Sequence, residues 1–158
     1  NLFEAYTNPS NIDARANMQK ASYFAGVAFS RAYVGYVHCV AHTLGGFYNV
    51  PHGLANAVIL PHVLDQYGVA AEVKLSQLAD HLSLTAKGES ISNKAKAFIQ
   101  LIKDMNLKMN IPTQIDGVLD KDIPAMVKRA LAEGNPLYPV PQIWGEKEME
   151  KIYRIIQK

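Results

Sequence analysis

The sequence has 158 residues, of which 49% are hydrophobic and 19% are charged, so it can form one sizeable core and is too apolar for a disordered chain. Sixteen basic and fourteen acidic side chains leave a net charge of only +2, a small excess that does not indicate nucleic-acid binding. A single cysteine excludes an intrachain disulfide and suits a reducing compartment, so we expect a cytoplasmic protein.

Charge is unevenly distributed along the chain. Between residues 23 and 62 the only formally charged side chain is Arg31. So long a charge-poor stretch is typical of a membrane span or of a protein interior. Histidines and glycines in residues 32–50 argue against the membrane, so we predict that this stretch is the deep core and that the core holds histidines. The chain shows no secretory signal and begins at Asn1 rather than Met, so we also expect a fragment of a longer protein.

The first predicted helix covers residues 12–32. A capping-box signature precedes it, because Ser10 is followed three residues later by Asp13. Small residues in the middle of this helix, among them Ala25 and Gly26, permit close packing against another helix.

Two further helices are predicted around a short loop. The first of them covers residues 34–45 and is ended by the glycine pair at 45–46, since glycine commonly terminates helices. The loop covers residues 49–53. The next helix covers residues 54–61, with one further turn to Tyr67 as the alternative.

Amphipathic helices follow in the second half of the chain. They are predicted at residues 70–82, 92–105, 121–133 and 146–157. Residues 106–117 and the proline-rich residues 134–145 are predicted loops, and no β-strand pattern of useful length is present. The expected fold class is all-α, a helical bundle that forms one domain over residues 1–158.

Three histidines form the most informative pattern. His38 and His42 are four residues apart on a predicted helix, so they share a face with Cβ atoms about 5–6 Å apart. His52 follows in a Pro-His-Gly turn. Neutral imidazole is a common ligand of Zn²⁺ and also suits Fe(II), so the pattern predicts a metal or catalytic site. Ordinary packed histidines are the alternative, and the zinc-protease motif is excluded because Cys39, not glutamate, follows His38.

The residues around these histidines resemble the signature of iron-containing (group III) alcohol dehydrogenases. The similarity is gapless over residues 35–46 and continues through residues 51–57, Pro-His-Gly-Leu-Ala-Asn-Ala. It extends backward to residues 25–29 and forward to residues 59–61, and the Asn-Pro pair at 135–136 is also similar.

The resemblance implies a fold and a set of site residues. It implies the all-helical C-terminal domain of an iron-containing alcohol dehydrogenase-like or dehydroquinate synthase-like enzyme, whose N-terminal α/β domain binds NAD or NADP and is absent from this chain. The family's divalent metal is held by one Asp and three His, of which the last two fall on His38 and His52. His42 falls near substrate and nicotinamide, as a catalytic and cofactor-contacting residue, and Phe29 falls in the substrate pocket.

The resemblance also implies an activity and its limits. The full-length enzyme is expected to interconvert a small alcohol and an aldehyde or ketone by hydride transfer, with Fe²⁺ as the favoured metal and Zn²⁺ as the alternative, and to form a homo-oligomer, a dimer. The family's Asp and first His come from an upstream helix, and none of the residues before His38 fits that motif, so we expect this chain to be inactive alone. Two alternatives stay open: a free-standing helical metal- or ligand-binding module, and a helical interaction domain whose histidines are only core residues.

The sequence also predicts roles for three other residues. Cys39 is predicted to be a core thiol and Trp144 a packing anchor for the last helix. Asn56 is predicted either to orient a residue of the pocket or to make a purely structural hydrogen bond.

Overall fold

A computed structural model describes all 158 residues, and every regular element in it is helical. The only strand-like pairing is an isolated bridge between Ile115 and Gln157. The predicted all-α fold class is confirmed. None of the helices combines the length and the apolar character that a membrane crossing requires.

Eight α-helices follow one another along the chain. They are α1 (Leu2–Thr7), α2 (Ile12–Ala32), α3 (Tyr36–Tyr48), α4 (His52–Tyr67), α5 (Val69–His81), α6 (Ile91–Lys108), α7 (Ile123–Leu137) and α8 (Glu146–Ile156), with a 3₁₀ turn at Asp120–Asp122. All seven predicted helices are present, and only the short α1 was not predicted.

The prediction that the glycine pair ends the second helix is wrong. Helix α3 continues to Tyr48 and ends at Asn49, whose φ of 55° is left-handed. Asparagine tolerates this conformation; its backbone N–H donates to the carbonyl of Gly45, and the N–H of Val50 donates to the carbonyl of Leu44. The glycines therefore lie inside α3, because the terminating residue comes three positions later.

Helix α4 starts earlier and ends later than residues 54–61. Pro51 is its N-cap, so His52 is its first residue rather than part of a loop. The longer alternative is confirmed at the other end, because α4 continues through Pro61 to Tyr67. Proline fits the extended N-cap conformation, and its missing N–H matters little at a helix start.

Helices α6 and α7 also continue beyond their predicted ends, so residues 106–108 and 134–137 are helical rather than parts of loops. A Cβ added at Gly134 would lie 2.8 Å from Cys39 Sγ and 3.0 Å from the Tyr36 ring. Glycine is retained in this helix because the backbone of α7 approaches α3 too closely for any side chain there. The close approach brings the end of α7 beside the face of α3 that carries His42.

Helix α3 lies at the centre of the core. It packs mainly against α4 and α7, and Tyr36, Cys39, Val40 and Leu44 are fully buried. Trp144 is buried as well, with its ring centroid 4.7 Å from that of Tyr36. The predicted core role of Cys39 is confirmed. Trp144 is also a core residue, and the ring contacts that the structure gives it are with Tyr36 of α3 and Tyr67 of α4.

The prediction that residues 23–62 form the deep core is wrong for the part that belongs to α2. Within the chain α2 packs mainly against α1, and Tyr23 and Phe24 are 69% and 67% exposed. Gly26, one of the small residues expected to support close packing, has no neighbour, since nothing lies within 4 Å of a Cβ built there. The N-cap of α2 is Asn11 rather than Ser10, because the Asn11 side chain accepts from the Ala14 N–H.

Candidate metal and substrate site

The structure brings the three histidines together. His38 and His42 lie one turn apart on α3, and His52 begins α4. The His52 ring centroid is 5.3 Å from each of the other two, and the His38 and His42 centroids are 5.9 Å apart. The shared helix face predicted for His38 and His42 is confirmed, and His52 joins them through the tight connection between α3 and α4.

The cluster is not inside the core, contrary to the prediction. His42 and His52 are exposed and His38 is half-buried. Helix α3 buries the face that carries Tyr36, Val40 and Leu44, so its histidine face is turned away from the packed interior. Helix α3 therefore lacks charged residues for two reasons: one of its faces is buried, and the opposite face carries histidines.

The spacing of His38 and His52 fits one bound cation. Two imidazoles bound tetrahedrally through bonds of about 2.0–2.1 Å place their ring centroids roughly 5 Å apart. Burial, followed by the neighbouring imidazoles, lowers the pKa of His38 below its ordinary value. This favours the neutral ring, which is the form that binds a metal.

Asn56 contacts one of the two predicted ligands. Its Nδ2 donates to His52 Nε2 at 2.9 Å and to the His52 carbonyl at 3.0 Å. An amide N–H is only a donor, so His52 Nε2 is the unprotonated nitrogen of that ring. That lone pair is directed at the amide, so a cation bound at His52 Nε2 would take the place of this hydrogen bond. Asn56 Oδ1 is buried without a partner.

The chain does not supply a complete ligand set. No three His, Cys, Asp or Glu side chains are arranged so that they can hold a metal ion. This includes the three clustered histidines, so a third ligand has no candidate among these residues.

Phe29 and His38 line the same cavity, whose volume is about 510 Å³. The lining contains no Lys, Arg, Asp or Glu, and most of it is apolar; it includes Tyr33, Leu60, Val63 and Val140. A larger cavity of about 610 Å³ lies between α1 and α2 and contains none of the histidines. The cavity beside His38 therefore gives an uncharged molecule a place next to the cluster.

Two residues beside His42 were not found from the sequence. Glu133 Oε1 lies 2.7 Å from His42 Nδ1, and the Tyr138 hydroxyl donates to the same oxygen at 2.8 Å. Burial, followed by the Glu133 carboxylate, raises the pKa of Tyr138 to about 12, so this hydroxyl keeps its proton. No local signal marks the pair, because the sequence pattern places residue 133 at the end of an amphipathic helix and residue 138 in a loop.

Comparisons with known proteins point to one family. The family model described as "Fe-containing alcohol dehydrogenase family, C-terminal" matches residues 1–156. The 1,3-propanediol dehydrogenase of Citrobacter freundii is 40% identical over 156 residues, which are 98% of this chain and 40% of that protein. The lactaldehyde reductase of Escherichia coli is 36% identical over 130 residues, 78% of this chain and 34% of that protein.

Solved structures give the same result. A crystal structure of 1,3-propanediol oxidoreductase superposes with a TM-score of 0.90 at 38% identity, covering 98% of this chain and 41% of that one. The alcohol dehydrogenase from Oenococcus oeni superposes with a TM-score of 0.88 at 33% identity and the same coverage. The chain thus spans about 40% of the length of the relatives that it matches.

Proposed function

The chain belongs to the Fe-containing alcohol dehydrogenase family, and we propose that it is the helical metal-binding and catalytic domain of an NAD(P)-linked alcohol dehydrogenase. Since the relatives are more than twice as long, we assign the binding of NAD or NADP mainly to an N-terminal α/β domain in the part of the relatives' length that this chain does not span. The observation that carries the proposal is the cluster of three imidazoles beside an uncharged cavity.

We assign metal binding to His38 and His52. Their spacing suits one cation, and partial burial favours the neutral His38 ring; at His52 Nε2 the cation would take the place of the Asn56 amide. Fe²⁺ is the metal that the family name implies, and Zn²⁺, which also accepts imidazole, is the alternative. The remaining ligands belong to the rest of the full-length protein. A free-standing metal-binding module is disfavoured, because this chain contains no set of three ligands.

The reaction is the interconversion of an alcohol and an aldehyde or ketone. When bound, the divalent ion supplies Lewis-acid polarisation of the substrate oxygen, and the nicotinamide accepts or donates the hydride. His42 contributes a proton site: during alcohol oxidation Nε2 receives the hydroxyl proton and passes it to solvent, which reaches the 43% exposed side chain. During reduction the proton moves in the opposite direction.

The cavity beside His38 defines the substrate class that we propose. Its lining has no charged side chain that would neutralise a carboxylate or phosphate. Phe29, Tyr33 and Leu60 offer apolar contact to a short carbon chain. A small uncharged alcohol or aldehyde fits these properties, in line with the relatives named 1,3-propanediol dehydrogenase and lactaldehyde reductase.

We further propose that the full-length enzyme is a cytoplasmic homodimer. The support for the compartment is the free buried thiol of Cys39, and the support for assembly is the exposed apolar side of α2, with Tyr23, Phe24 and Val27. Light scattering of the purified full-length protein measures the assembly, and a monomeric mass contradicts that part of the proposal.

The test of the activity uses the full-length protein. It is purified, loaded with Fe²⁺ under anaerobic conditions and assayed with NAD⁺ and NADP⁺ on a series of short primary alcohols and diols. Cofactor reduction with at least one of them is expected. One metal ion per chain without turnover of any short alcohol or aldehyde would show that the proposed chemistry is wrong.

A further inference from the structure

We propose that Glu133, held in place by Tyr138, is a positioning residue that fixes the orientation and the tautomer of the His42 ring. The inference rests on the proposed catalytic role of His42 and extends it to two side chains from another part of the chain. Glu133 lies near the end of α7, and Tyr138 follows that helix directly.

The contacts form a short chain of hydrogen bonds. Glu133 Oε1 lies 2.7 Å from His42 Nδ1, and the Tyr138 hydroxyl donates to the same oxygen at 2.8 Å. The Glu133 side chain is 30% exposed and the His42 side chain 43% exposed. Glu133 is therefore anchored by a neighbouring hydroxyl, whereas an exposed imidazole without such a partner would rotate freely about its two side-chain torsions.

The acceptor character of Glu133 determines the tautomer of His42. An ionised carboxylate has no proton to donate, so the hydrogen between the two residues lies on His42 Nδ1. In the neutral ring the lone pair is then on Nε2, which has no hydrogen-bond partner in this chain. Nε2 is thus the atom left available to the substrate hydroxyl, and the same logic orients histidines beside carboxylates in other enzymes.

The backbone of α7 makes this contact possible. A Cβ added at Gly134 would lie 2.8 Å from Cys39 Sγ, so α7 and α3 approach each other there more closely than a side chain at this position would allow. The adjacent Glu133 is brought to the exposed edge of α3. A carboxylate carried on a packed helix is better placed to restrict an imidazole than one carried on a mobile loop.

The test compares variants of the full-length, metal-loaded enzyme. Glu133→Ala removes the acceptor. Glu133→Gln keeps the side chain's size but adds an N–H that can donate to Nδ1, which allows the proton to move to Nε2. Both variants are expected to lower kcat about 10–100-fold while KM for the alcohol and the metal content stay unchanged. Tyr138→Phe, which only loosens Glu133, is expected to lower kcat less.

The control is Asp80→Asn, which removes a carboxylate from a comparable contact, 2.8 Å to Lys94 Nζ between α5 and α6, and is expected to leave kcat unchanged. The proposal is overturned if Glu133→Gln retains the wild-type kcat, because the size of the side chain would then suffice. Failure of the wild-type enzyme to oxidise any alcohol would instead contradict the proposed function.

A measurement on the wild-type enzyme tests the proposal even if the variants fail to fold. Selective ¹⁵N labelling of histidine distinguishes protonated from unprotonated ring nitrogens, and the His42 signals are identified by their loss in His42→Ala. A proton on Nδ1 and none on Nε2 is expected at neutral pH, and loss of that preference in Glu133→Gln. The opposite tautomer in the wild-type enzyme overturns the proposal regardless of activity.

Discussion

The side-chain amide of Asn106, on α6, donates to the backbone carbonyl of Ala57, on α4, at 2.7 Å. Residue 57 precedes Pro61 by four positions, so its carbonyl would normally accept from the N–H that proline lacks. Asn106 thus replaces the missing intrahelical hydrogen bond. This contact explains how α4 continues through a proline in its interior, and it ties α4 to α6.

Replacing Asn106 by alanine is expected to destabilise the chain by about 1–3 kcal/mol, because the carbonyl of Ala57 loses its partner. In a Pro61→Ala background the cost should be smaller, since residue 61 regains an N–H that can donate to the same carbonyl. Urea unfolding of the four chains of this double-mutant cycle measures the coupling. Gln100→Ala, which removes only an exposed contact to Asp104 on the same helix, is the control and should lie within about 0.5 kcal/mol of wild type. Equal costs of Asn106→Ala in both backgrounds would contradict this account of Pro61.

Gly134→Ala is expected to destabilise the chain by about 1–3 kcal/mol, because the new methyl group overlaps Cys39 Sγ and the Tyr36 ring. Gly46→Ala is the matched control, since Gly46 is also helical but has nothing within 4 Å of its Cβ position. The control should be stabilised by about 0.5–1 kcal/mol through helix propensity. Fluorescence of the single Trp144 during urea unfolding measures both. A Gly134→Ala variant as stable as Gly46→Ala would show that α3 and α7 can separate at no cost.

Sequence periodicity predicted the existence of seven helices but not where α3, α4 and α7 end. Those ends depend on contacts between distant residues. The Asn106 amide lets α4 pass Pro61, and the packing of Gly134 against Cys39 lets α7 pass a glycine. The lack of charged residues did not predict burial, because it is shared by the buried face of α3 and the exposed apolar side of α2.

The histidine cluster, in contrast to the helix ends, could be predicted because its residues are close together in the sequence. The i, i+4 spacing of His38 and His42 places them together on any helix, and His52 follows after a short connection. Glu133 lies ninety-one residues from His42, so only the packing of α7 on α3 brings it there. The metal and catalytic roles of the three histidines remain predictions.

Alanine variants of the histidines separate those roles in the full-length enzyme. His38→Ala and His52→Ala should each lose the metal, because each removes a proposed ligand. His42→Ala should retain the metal and lose activity by about 10²–10⁴-fold, as expected for a general acid–base residue. Metal analysis and kcat are measured on the same preparations. Loss of metal from His42→Ala as complete as from His38→Ala would make His42 a ligand.

The isolated 158-residue chain is expected to hold Fe²⁺ or Zn²⁺ weakly and to show no alcohol dehydrogenase activity. Two imidazoles leave the charge of a divalent ion unneutralised and most of its coordination shell to water. Metal analysis after dialysis, with the full-length protein as the reference, measures the first part, and an NAD(P)H-linked assay measures the second. A stoichiometric ion that resists a chelator in the isolated chain would show that its own residues complete the site.

The stability of the chain is expected to fall as the pH rises above about 8.5, in part because of Cys39. Burial, followed by the Glu133 carboxylate, raises the pKa of this thiol from 9.0 to about 12. Between these values the unfolded chain has lost the proton and the folded chain still holds it, so alkaline pH favours unfolding by up to about 1.4 kcal/mol per pH unit. The ordinary pKa of a tyrosine hydroxyl is 10.0, so the buried tyrosines contribute to this loss of stability only at higher pH.

Cys39→Ala tests the assignment, since it removes the titrating thiol. Its free energy of unfolding should be lower at neutral pH because of the cavity, yet depend less on pH between about pH 8.5 and 10. Val63→Ala also truncates a fully buried side chain but removes no titrating group, so it should keep the wild-type pH dependence. Urea unfolding at a series of pH values gives the three slopes. If Cys39→Ala and Val63→Ala have the same slope over that interval, then the thiol does not remain protonated in the folded chain and its burial does not control the alkaline limit.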